Sequence, residues 1–317
     1  MQPSIKVIGV GGSGSNTVSR MAKFEMQGAE LMALNTDAQA LHFSKCHKKI
    51  LIGKDTTKGL GTGMDADLGR KSAEESREEI IEALCGGPAS AKATAGKADM
   101  VFVTCGLGGG TGSGASPVVA EIAKSLGILT IGVVTTPFSF EGQERKNIAV
   151  ESIKNLRSHV DSLLVISNDK LLKIIDEKTT VSEAFLICDD ILREAVQSIT
   201  DLILVPGIIN IDFASVVSIM KNSGQALFGA GRALGENRAV VAAEKAISSP
   251  LLDISIQGSK GVLFSVAGND VTLNEIQQAA KVITKNVDSK AEIIFGAVKD
   301  NNLKKGELKI TVIATKF

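Results

Sequence analysis

The chain has 317 residues, 44% of them hydrophobic, and its 35 Lys and Arg residues balance 35 Asp and Glu residues. This length accommodates one large or two modest domains, and the apolar content excludes intrinsic disorder. The balanced charge gives no electrostatic reason to expect nucleic acid or an anionic membrane as a partner. No apolar run approaches the roughly 20 residues of a membrane helix, there is no signal-peptide pattern, and the cysteines form no CxxC pair. We therefore expect a soluble cytoplasmic protein with reduced thiols.

The first half of the chain alternates apolar, strand-like runs with helical segments. This alternation predicts an α/β fold with a doubly wound parallel sheet. The first strand leads into a glycine-rich loop, and a helix is predicted to begin near Asn16. The predicted strands are Ile5–Val10, Leu31–Leu34, Lys49–Ile52, Met100–Thr104, Leu129–Val134 and Ser162–Ile166, and the predicted helices are Asp67–Leu84, Ser116–Leu126 and Glu144–Ser158.

A long helix is predicted over Val181–Leu204, where apolar residues recur at helical spacing until Pro206 and Gly207 end it. A second, smaller α/β domain is predicted after this helix. The domain limits are therefore 1–178 for the first domain, 179–205 for a central connecting helix and 206–317 for the C-terminal domain. The elements predicted there are the helices Phe213–Lys221, Asn237–Ser248 and Thr272–Val287 and the strands Gly261–Val266, Glu292–Val298 and Leu308–Thr315.

Residues 9–16 (GVGGSGSN) form the first glycine loop, between a predicted strand and a predicted helix. Glycines allow the backbone to approach a phosphate closely, and free N–H groups at a helix start bind the anion. Taken alone, the glycine spacing also fits the dinucleotide fingerprint, with Asp37 at a suitable distance to meet a ribose. A tight turn without a ligand is the remaining explanation for this loop.

Residues 106–114 (GLGGGTGSG) form a second loop of the same kind, with six glycines in nine residues. So many glycines cost backbone entropy on folding, which favours a ligand that approaches the backbone closely. Thr111 and Ser113 add hydroxyls that can reach phosphate oxygens or a metal-bound water. The sequence contains no G-x-x-x-x-G-K-[ST] motif, which excludes a P-loop NTPase. Two glycine loops also argue against a simple dinucleotide enzyme, which needs only the first.

The second loop resembles the signature loop of the tubulin/FtsZ family of GTPases. The surrounding motifs resemble the bacterial cell-division branch of that family, and the resemblance extends over essentially the whole chain. Besides the two glycine loops, the matching segments are 35–41 (NTDAQAL), 58–61 (KGLG), 137–142 (PFSFEG), 168–172 (NDKLL), 210–214 (NIDFA), 246–252 (AISSPLL) and 312–315 (VIAT).

This resemblance implies that the chain binds GTP or GDP with Mg²⁺ bridging the phosphates, and that no protein side chain ligates the metal. It also implies a head-to-tail homopolymer that scaffolds the bacterial division ring, with other division proteins as partners, at the division site in the cytoplasm. It further implies that the predicted C-terminal domain, residues 206–317, serves activation and assembly. The printed sequence ends at Phe317 without the linker and partner-binding peptide of the family. A shortened sequence and a different route to partners both explain that difference.

The resemblance also assigns roles to individual residues. Glu141 and Arg145 match the pair that reaches the ribose, and Asn168, Phe185 and Asp189 match the guanine pocket. A carboxylate accepts two N–H donors from guanine, which adenine does not offer. Outside this context Phe185 would be a core residue and Asp189 a solvated charge. The predicted nucleotide contacts are Gly11, Gly12, Ser13, Gly14, Ser15, Asn16, Gly61, Gly108, Gly109, Gly110, Thr111, Gly112, Ser113, Glu141, Arg145, Asn168, Phe185 and Asp189.

In the family, the loop after the long helix, here Leu204–Phe213, completes the GTPase site of the next subunit. Asn210 and Asp212 match two of its three polar positions and are the predicted catalytic residues. The third position usually holds an acid, but here it is Ser215, which cannot take a proton at neutral pH. We hypothesise slow hydrolysis and long-lived filaments. The alternative is that Asp212 alone suffices.

Two further departures concern the loop 61–67 (GTGMDAD), which lacks the usual alanines and proline, and Thr136, which stands where a basic residue is common. Two other functions stay open at this point. One is a GTP-binding filament former or regulatory paralogue with little hydrolysis, which Ser215 favours. The other is a nicotinamide-dependent oxidoreductase. Only the first glycine loop favours this function, and the absence of a catalytic histidine from the second domain speaks against it.

Overall fold

The computed structural model describes residues 2–24, 26, 28–87, 96–172, 175–176, 178–249, 255–300 and 303–317. These residues divide into two compact units, Met1–Val196 and Gln197–Phe317. Of the segment 246–252, which carries part of the family resemblance, residues 250–252 lie outside the described residues.

The first unit is built on a parallel sheet, which confirms the predicted doubly wound α/β domain. Its strands run in the order β3-β2-β1-β4-β5-β6, and each pairs with its neighbours in parallel. Every residue of the first strand is buried, and its one charged residue, Lys6, hydrogen-bonds to the carbonyl oxygen of Ala83 and pairs with Glu30. The strands are β1 (Ile5–Val10), β2 (Ala29–Asn35), β3 (Lys48–Leu51), β4 (Met100–Gly106), β5 (Leu129–Thr136) and β6 (Ser162–Ser167).

Two helices of the first unit begin earlier than predicted. The first starts at Gly11 instead of near Asn16, and the sixth at Gly110 instead of Ser116, because in both cases the glycines form the first helical turn. The helix predicted over Asp67–Leu84 is two helices, interrupted at Ser76. The helices are α1 (Gly11–Lys23), α2 (Ala38–Phe43), α3 (Lys54–Thr57), α4 (Ala66–Glu75), α5 (Arg77–Cys85), α6 (Gly110–Ser125), α7 (Gln143–His159), α8 (Asn168–Leu171) and α9 (Val181–Leu204).

The long helix α9 has the predicted limits, and the boundary between the two compact units falls within it, after Val196. Across the described parts of the chain, no helix combines the length and the apolar content that crossing a membrane requires. The cysteines are free thiols, and two of them, Cys105 and Cys188, are buried. Burial raises the pKa of both thiols to about 12, so both stay neutral at physiological pH.

The second unit contains a mixed sheet in the order β7-β10-β8-β9, with helices packed on it. The last strand is antiparallel to two neighbours, whereas β8 and β9 pair in parallel. This arrangement confirms a second, smaller α/β domain, although its first strand was not predicted. The elements are α10 (Phe213–Met220), β7 (Gly224–Leu234), α11 (Arg238–Ile247), β8 (Gly261–Gly268), α12 (Leu273–Thr284), β9 (Glu292–Lys299) and β10 (Glu307–Thr315).

Candidate functional site

The strand order of the first unit reverses direction between β1 and β4, which lie side by side at its centre. In open parallel sheets, ligands bind outside the carboxyl ends of the strands at such a switch point. The chain leaves β1 through the first glycine loop into α1, and it leaves β4 through the second glycine loop into α6. Both predicted phosphate loops therefore meet at the edge where a ligand is expected.

The backbones of the two loops touch each other. A Cβ added to Gly11 would lie 2.8 Å from the backbone nitrogen of Gly112, and one added to Gly106 would lie 2.7 Å from Ser13 Oγ. Glycine is therefore required at these two positions by the packing of the protein itself. Gly12 and Gly109 differ, because a Cβ at either position would meet no protein atom within 4 Å. These two glycines border open space, which is the space that a ligand would fill.

The first turns of α1 and α6 lack side-chain caps. The residues before them, Val10 and Gly109, provide no capping hydrogen bond, and neither first turn contains an acidic residue. The first N–H groups of a helix have no partner within the helix and carry partial positive charge. Two uncapped helix starts at one sheet edge form an anion-binding arrangement that suits a chain of phosphates.

At the start of α6, the hydroxyl of Thr111 lies within hydrogen-bonding distance of two other threonine hydroxyls, which belong to two different loops. Thr111 Oγ1 lies 2.8 Å from Thr36 Oγ1 and 3.1 Å from Thr62 Oγ1, and all three side chains are buried. Thr36 follows β2, and Thr62 belongs to the loop that departs from the family sequence. Thr62 thus ties this loop to the start of α6. Sequence reasoning assigned no role to Thr36 or Thr62, although both lie in segments that it compared with the family.

Three buried polar atoms near the same sheet edge have no hydrogen-bond partner among the described residues. They are Ser15 Oγ in α1, Asn35 Nδ2 at the end of β2 and Asn168 Oδ1 at the start of α8. Leaving one such group unsatisfied costs about 1–3 kcal/mol. A polar ligand at this edge would satisfy them, and the donor and acceptor types suit a nucleotide. Asn35 was not predicted, although it directly follows an apolar run in the segment 35–41.

Glu141 of the predicted ribose-binding pair lies in the loop between β5 and α7, and Arg145 lies in the first turn of α7. Glu141 Oε1 accepts a hydrogen bond from the backbone N–H of Phe138 at 2.8 Å, and its other oxygen lies 3.3 Å from Arg145 Nη1. Asp169 in α8 accepts a hydrogen bond from the backbone N–H of Ser139 at 2.6 Å. These bonds fasten the loop to the helix that begins with the predicted base-binding asparagine.

Phe185 on α9 is 41% exposed. Phe138 packs against its ring in an edge-to-face arrangement, with ring centroids 5.3 Å apart at 88°. Phe185 is therefore not a core residue. Its exposed surface is available for a flat ligand group.

Asp189 lies one helical turn after Phe185, is 8% exposed and is not a solvated charge. Its Oδ1 accepts a hydrogen bond from Thr17 Oγ1 at 2.9 Å, and its Oδ2 accepts one from Arg20 Nε at 3.0 Å. Burial raises the pKa of the Asp189 carboxyl, and the bonds from Thr17 and Arg20 oppose that rise. Neither partner was predicted, since they lie about 170 residues earlier in the chain.

The two predicted catalytic residues lie in the second unit, just before α10, and both are exposed. Asn210 Oδ1 accepts a hydrogen bond from the backbone N–H of Gly207 at 2.6 Å. Asp212 caps α10 and accepts a hydrogen bond from the backbone N–H of Ser215 at 2.7 Å. The Ser215 side chain also hydrogen-bonds to this carboxylate and, with that backbone bond, lowers the pKa of Asp212. Asp212 is thus an exposed and ionised acid at a helix start.

Two family descriptions match the chain. Residues 4–176 match "Tubulin/FtsZ family, GTPase domain" and residues 224–317 match "FtsZ family, C-terminal domain". A solved structure of an empty FtsZ dimer from M. jannaschii is 42% identical with a TM-score of 0.92, over 99% of this chain and 88% of that one.

Two proteins from Haloferax volcanii share the fold at lower identity. CetZ1, a GDP-bound monomer, is 22% identical with a TM-score of 0.84, over 98% of this chain and 93% of that one. CetZ2, a GTPγS-bound protofilament, is 22% identical with a TM-score of 0.82, over 98% of this chain and 92% of that one. With two family descriptions matched along its length and an FtsZ structure at 42% identity, the chain belongs to the Tubulin/FtsZ family of GTPases.

Proposed function

We propose that the chain binds GTP at the edge where β1 and β4 end and assembles head to tail into filaments. Each subunit then completes the GTPase site of its neighbour. The observation that carries this proposal is the cradle formed by the two uncapped helix starts, where Gly12 and Gly109 border open space. The membership of the family removes the nicotinamide-dependent oxidoreductase from consideration.

In this proposal the glycine loops and Thr111 bind the phosphates, together with Gly61 and Ser113. Glu141 and Arg145 bind the ribose. Asn168, Phe185 and Asp189 bind guanine, with Phe185 stacked on the base. The unpartnered Oδ1 of Asn168 and the exposed surface of Phe185 support this assignment.

Mg²⁺ would accompany the nucleotide and neutralise charge between its β- and γ-phosphates. Among the described residues, no three His, Cys, Asp or Glu side chains form a metal-binding group. The donor set at the loops consists of hydroxyls and backbone groups, which fits an ion held mainly by phosphates and water. The protein's own contribution is to fix the phosphates with backbone N–H groups and threonine hydroxyls.

Hydrolysis would use Asn210 and Asp212 of the adjacent subunit. Phosphoryl transfer to water depends chiefly on positioning the water in line and on stabilising charge. Asp212 is exposed and ionised, so it can hold a water without rearrangement of its own helix. Ser215 adds no second acid and instead hydrogen-bonds to Asp212. We therefore expect turnover to be slow, and a GTP-binding filament with little hydrolysis is the second candidate function.

Self-association is supported by the FtsZ relative from M. jannaschii, whose solved structure is a dimer. A heterologous head-to-tail contact whose rotation does not close produces an open filament. We propose that these filaments scaffold a division ring at the division site in the cytoplasm and recruit other division proteins. The bacterial setting expected from the sequence remains part of this proposal.

A mixing experiment tests the shared site. One variant, Gly12→Val, fills the phosphate cradle but keeps the loop before α10. The other, Asp212→Asn, keeps the cradle but loses the acid. If each site is shared, both variants are inactive alone, and an equimolar mixture recovers up to about a quarter of the normal rate, because one joint in four pairs intact partners. A mixture as inactive as its components contradicts the proposal. Repeating it with Ser215→Asp added only to the Gly12→Val variant, which supplies the intact loop, guards against a low basal rate.

A further inference from the structure

The two side chains that hydrogen-bond to the Asp189 carboxylate both belong to α1. Thr17 and Arg20 lie three residues apart on α1 and contact different oxygens of the carboxylate. The Thr17 hydroxyl also lies 3.0 Å from the carbonyl oxygen of Ser13, in the glycine-rich first turn. The single hydroxyl proton of Thr17 is therefore shared between the Ser13 carbonyl oxygen and Asp189 Oδ1. The Arg20 Nε–H donates to Asp189 Oδ2. Arg20 is the stronger of the two contacts, since it combines a hydrogen bond with an ion pair.

The number of acceptor sites on Asp189 matters for what else it can bind. An ionised carboxylate offers about four lone-pair sites, two on each oxygen. Thr17 and Arg20 occupy one site on each oxygen, which leaves one site free on each. The guanine base presents two parallel donors, the N1–H and the 2-amino group, and two neighbouring acceptors match them. A carboxylate rotated out of this position would present only one acceptor.

We propose that Arg20, assisted by Thr17, is a positioning residue for base recognition, which orients Asp189 so that both of its oxygens remain available to guanine. This inference rests on the proposed function, because it needs guanine at Asp189. It extends that function by making selectivity for the 2-amino group depend on α1. The same helix also carries the first phosphate loop, so one rigid element sets the distance between phosphates and base.

The charges around Asp189 predict a pH dependence. Burial raises its pKa, Thr17 and Arg20 lower it, and Asp190 on the same helix raises it. Cys188, with a pKa of about 12, stays neutral, and Asp190 is paired with Arg193 at 3.5 Å. Only the ionised carboxylate accepts both guanine donors. Binding is therefore lost as the pH falls through the pKa of Asp189, and removing Arg20 raises that pKa and moves the loss to higher pH.

The test compares the affinity of Arg20→Gln for GTP and for ITP, which lacks the 2-amino group, across a range of pH. We expect GTP binding to weaken roughly tenfold or more, because a charged hydrogen bond is lost. ITP binding should weaken less, so the ratio of the two affinities falls. Arg20→Lys keeps the charge and should retain the wild-type pH profile. Thr17→Ser should bind like the wild type, whereas Thr17→Val should show a smaller loss of GTP affinity than Arg20→Gln.

Arg193→Gln is the matched control. It removes an arginine that pairs with Asp190, the residue directly after Asp189 on α9. Its GTP-to-ITP ratio should equal that of the wild type, and its pH profile should shift less than that of Arg20→Gln, since Asp190 has the smallest influence on the pKa of Asp189. The inference is overturned if Arg20→Gln leaves the ratio and the pH profile unchanged, or if it weakens GTP and ITP in parallel. Asp189→Ala distinguishes a failure of the proposed base site from a failure of the proposed role of Arg20. If Asp189→Ala leaves the ratio unchanged, the proposed base site is wrong. If it changes the ratio but Arg20→Gln does not, only the role of Arg20 is wrong.

Discussion

Ser215 occupies the third position of α10, and its N–H donates to the Asp212 carboxylate that caps the helix. An aspartate at this position would be compatible with the fold, because acids are favourable in the first turn of a helix. We predict that Ser215→Asp raises phosphate release by polymerised protein by about tenfold or more, since a second acid helps to position and deprotonate the water. Phosphate release at fixed polymer mass is the measurement.

Ser215→Ala is the control for this change. It removes the hydroxyl but keeps the backbone bond to Asp212, so we expect turnover close to that of the wild type. Normal wild-type turnover, together with no gain in Ser215→Asp, would show that Asp212 suffices and that the serine does not limit hydrolysis.

Phe185 provides a separate test of the base site. Phe185→Ala should weaken GTP binding by about 5- to 150-fold, the range for one stacked base. Phe140 is the matched control, because it is also exposed and also packs on Phe138, with ring centroids 4.9 Å apart. Phe140→Ala should leave the GTP dissociation constant nearly unchanged. Equal losses in the two variants would mean that Phe185 acts through packing and not by contacting the base.

The sequence predicted a set of site residues, but it could not predict the side chains that contact them. Asp189 was expected to face guanine, and its burial against Thr17 and Arg20 depends on contacts about 170 positions apart in the chain. Thr62 was noted only as a departure from the family, whereas the structure places its hydroxyl beside Thr111. Such pairings depend on tertiary packing, which local patterns do not encode. The roles of the predicted nucleotide contacts remain predictions.

The starts of α1 and α6 contain glycines with two different functions. A Cβ on Gly114 would collide with the carbonyl oxygen of Ala66 in α4, whereas a Cβ on Gly12 would meet only open space. Gly114→Ala should therefore lower the melting temperature of the nucleotide-free protein, at an overpacking cost of about 1–3 kcal/mol. Gly12→Ala should leave that temperature unchanged or slightly raised, because alanine favours the helix.

GTP affinity should show the complementary effect. Gly12→Ala is expected to weaken GTP binding by about tenfold or more, since the methyl group occupies space meant for phosphate. Thermal unfolding without nucleotide and titration with GTP measure the two effects separately. A Gly12→Ala protein that binds GTP normally would show that the open space next to Gly12 does not receive the phosphates.

At the level of elements, long periodic segments were predicted well and glycine-rich ones were not. The limits of α9 agree with the prediction because its apolar residues recur over many turns. The strand β7 (GQALFGAGRAL) was missed because glycine and alanine dominate it and no β-branched residue is present. The starts of α1 and α6 were placed too late because glycine is a poor helix former in isolation. Their helical conformation leaves the first N–H groups of each helix without partners inside the helix, as binding of an anion requires.

At the scale of the whole molecule, the phosphate cradle lies in the first unit, and Asn210 and Asp212 lie in the second. The proposed reaction needs a cradle from one subunit and an acid loop from the next, so it needs at least two molecules. Domain limits at 178 and 205 remain a prediction, since the compact units divide within α9. The central claim is that the active site exists only in the polymer.

The most direct test is GTP turnover as a function of protein concentration, with polymer pelleted from the same samples. We predict that turnover per subunit is close to zero at low concentration and rises above a critical concentration, in parallel with the pelleted mass. Turnover per subunit that is independent of concentration would contradict it, because the site would then be complete in one molecule. Abundant polymer with almost no phosphate release would favour the filament former whose hydrolysis is limited at Ser215.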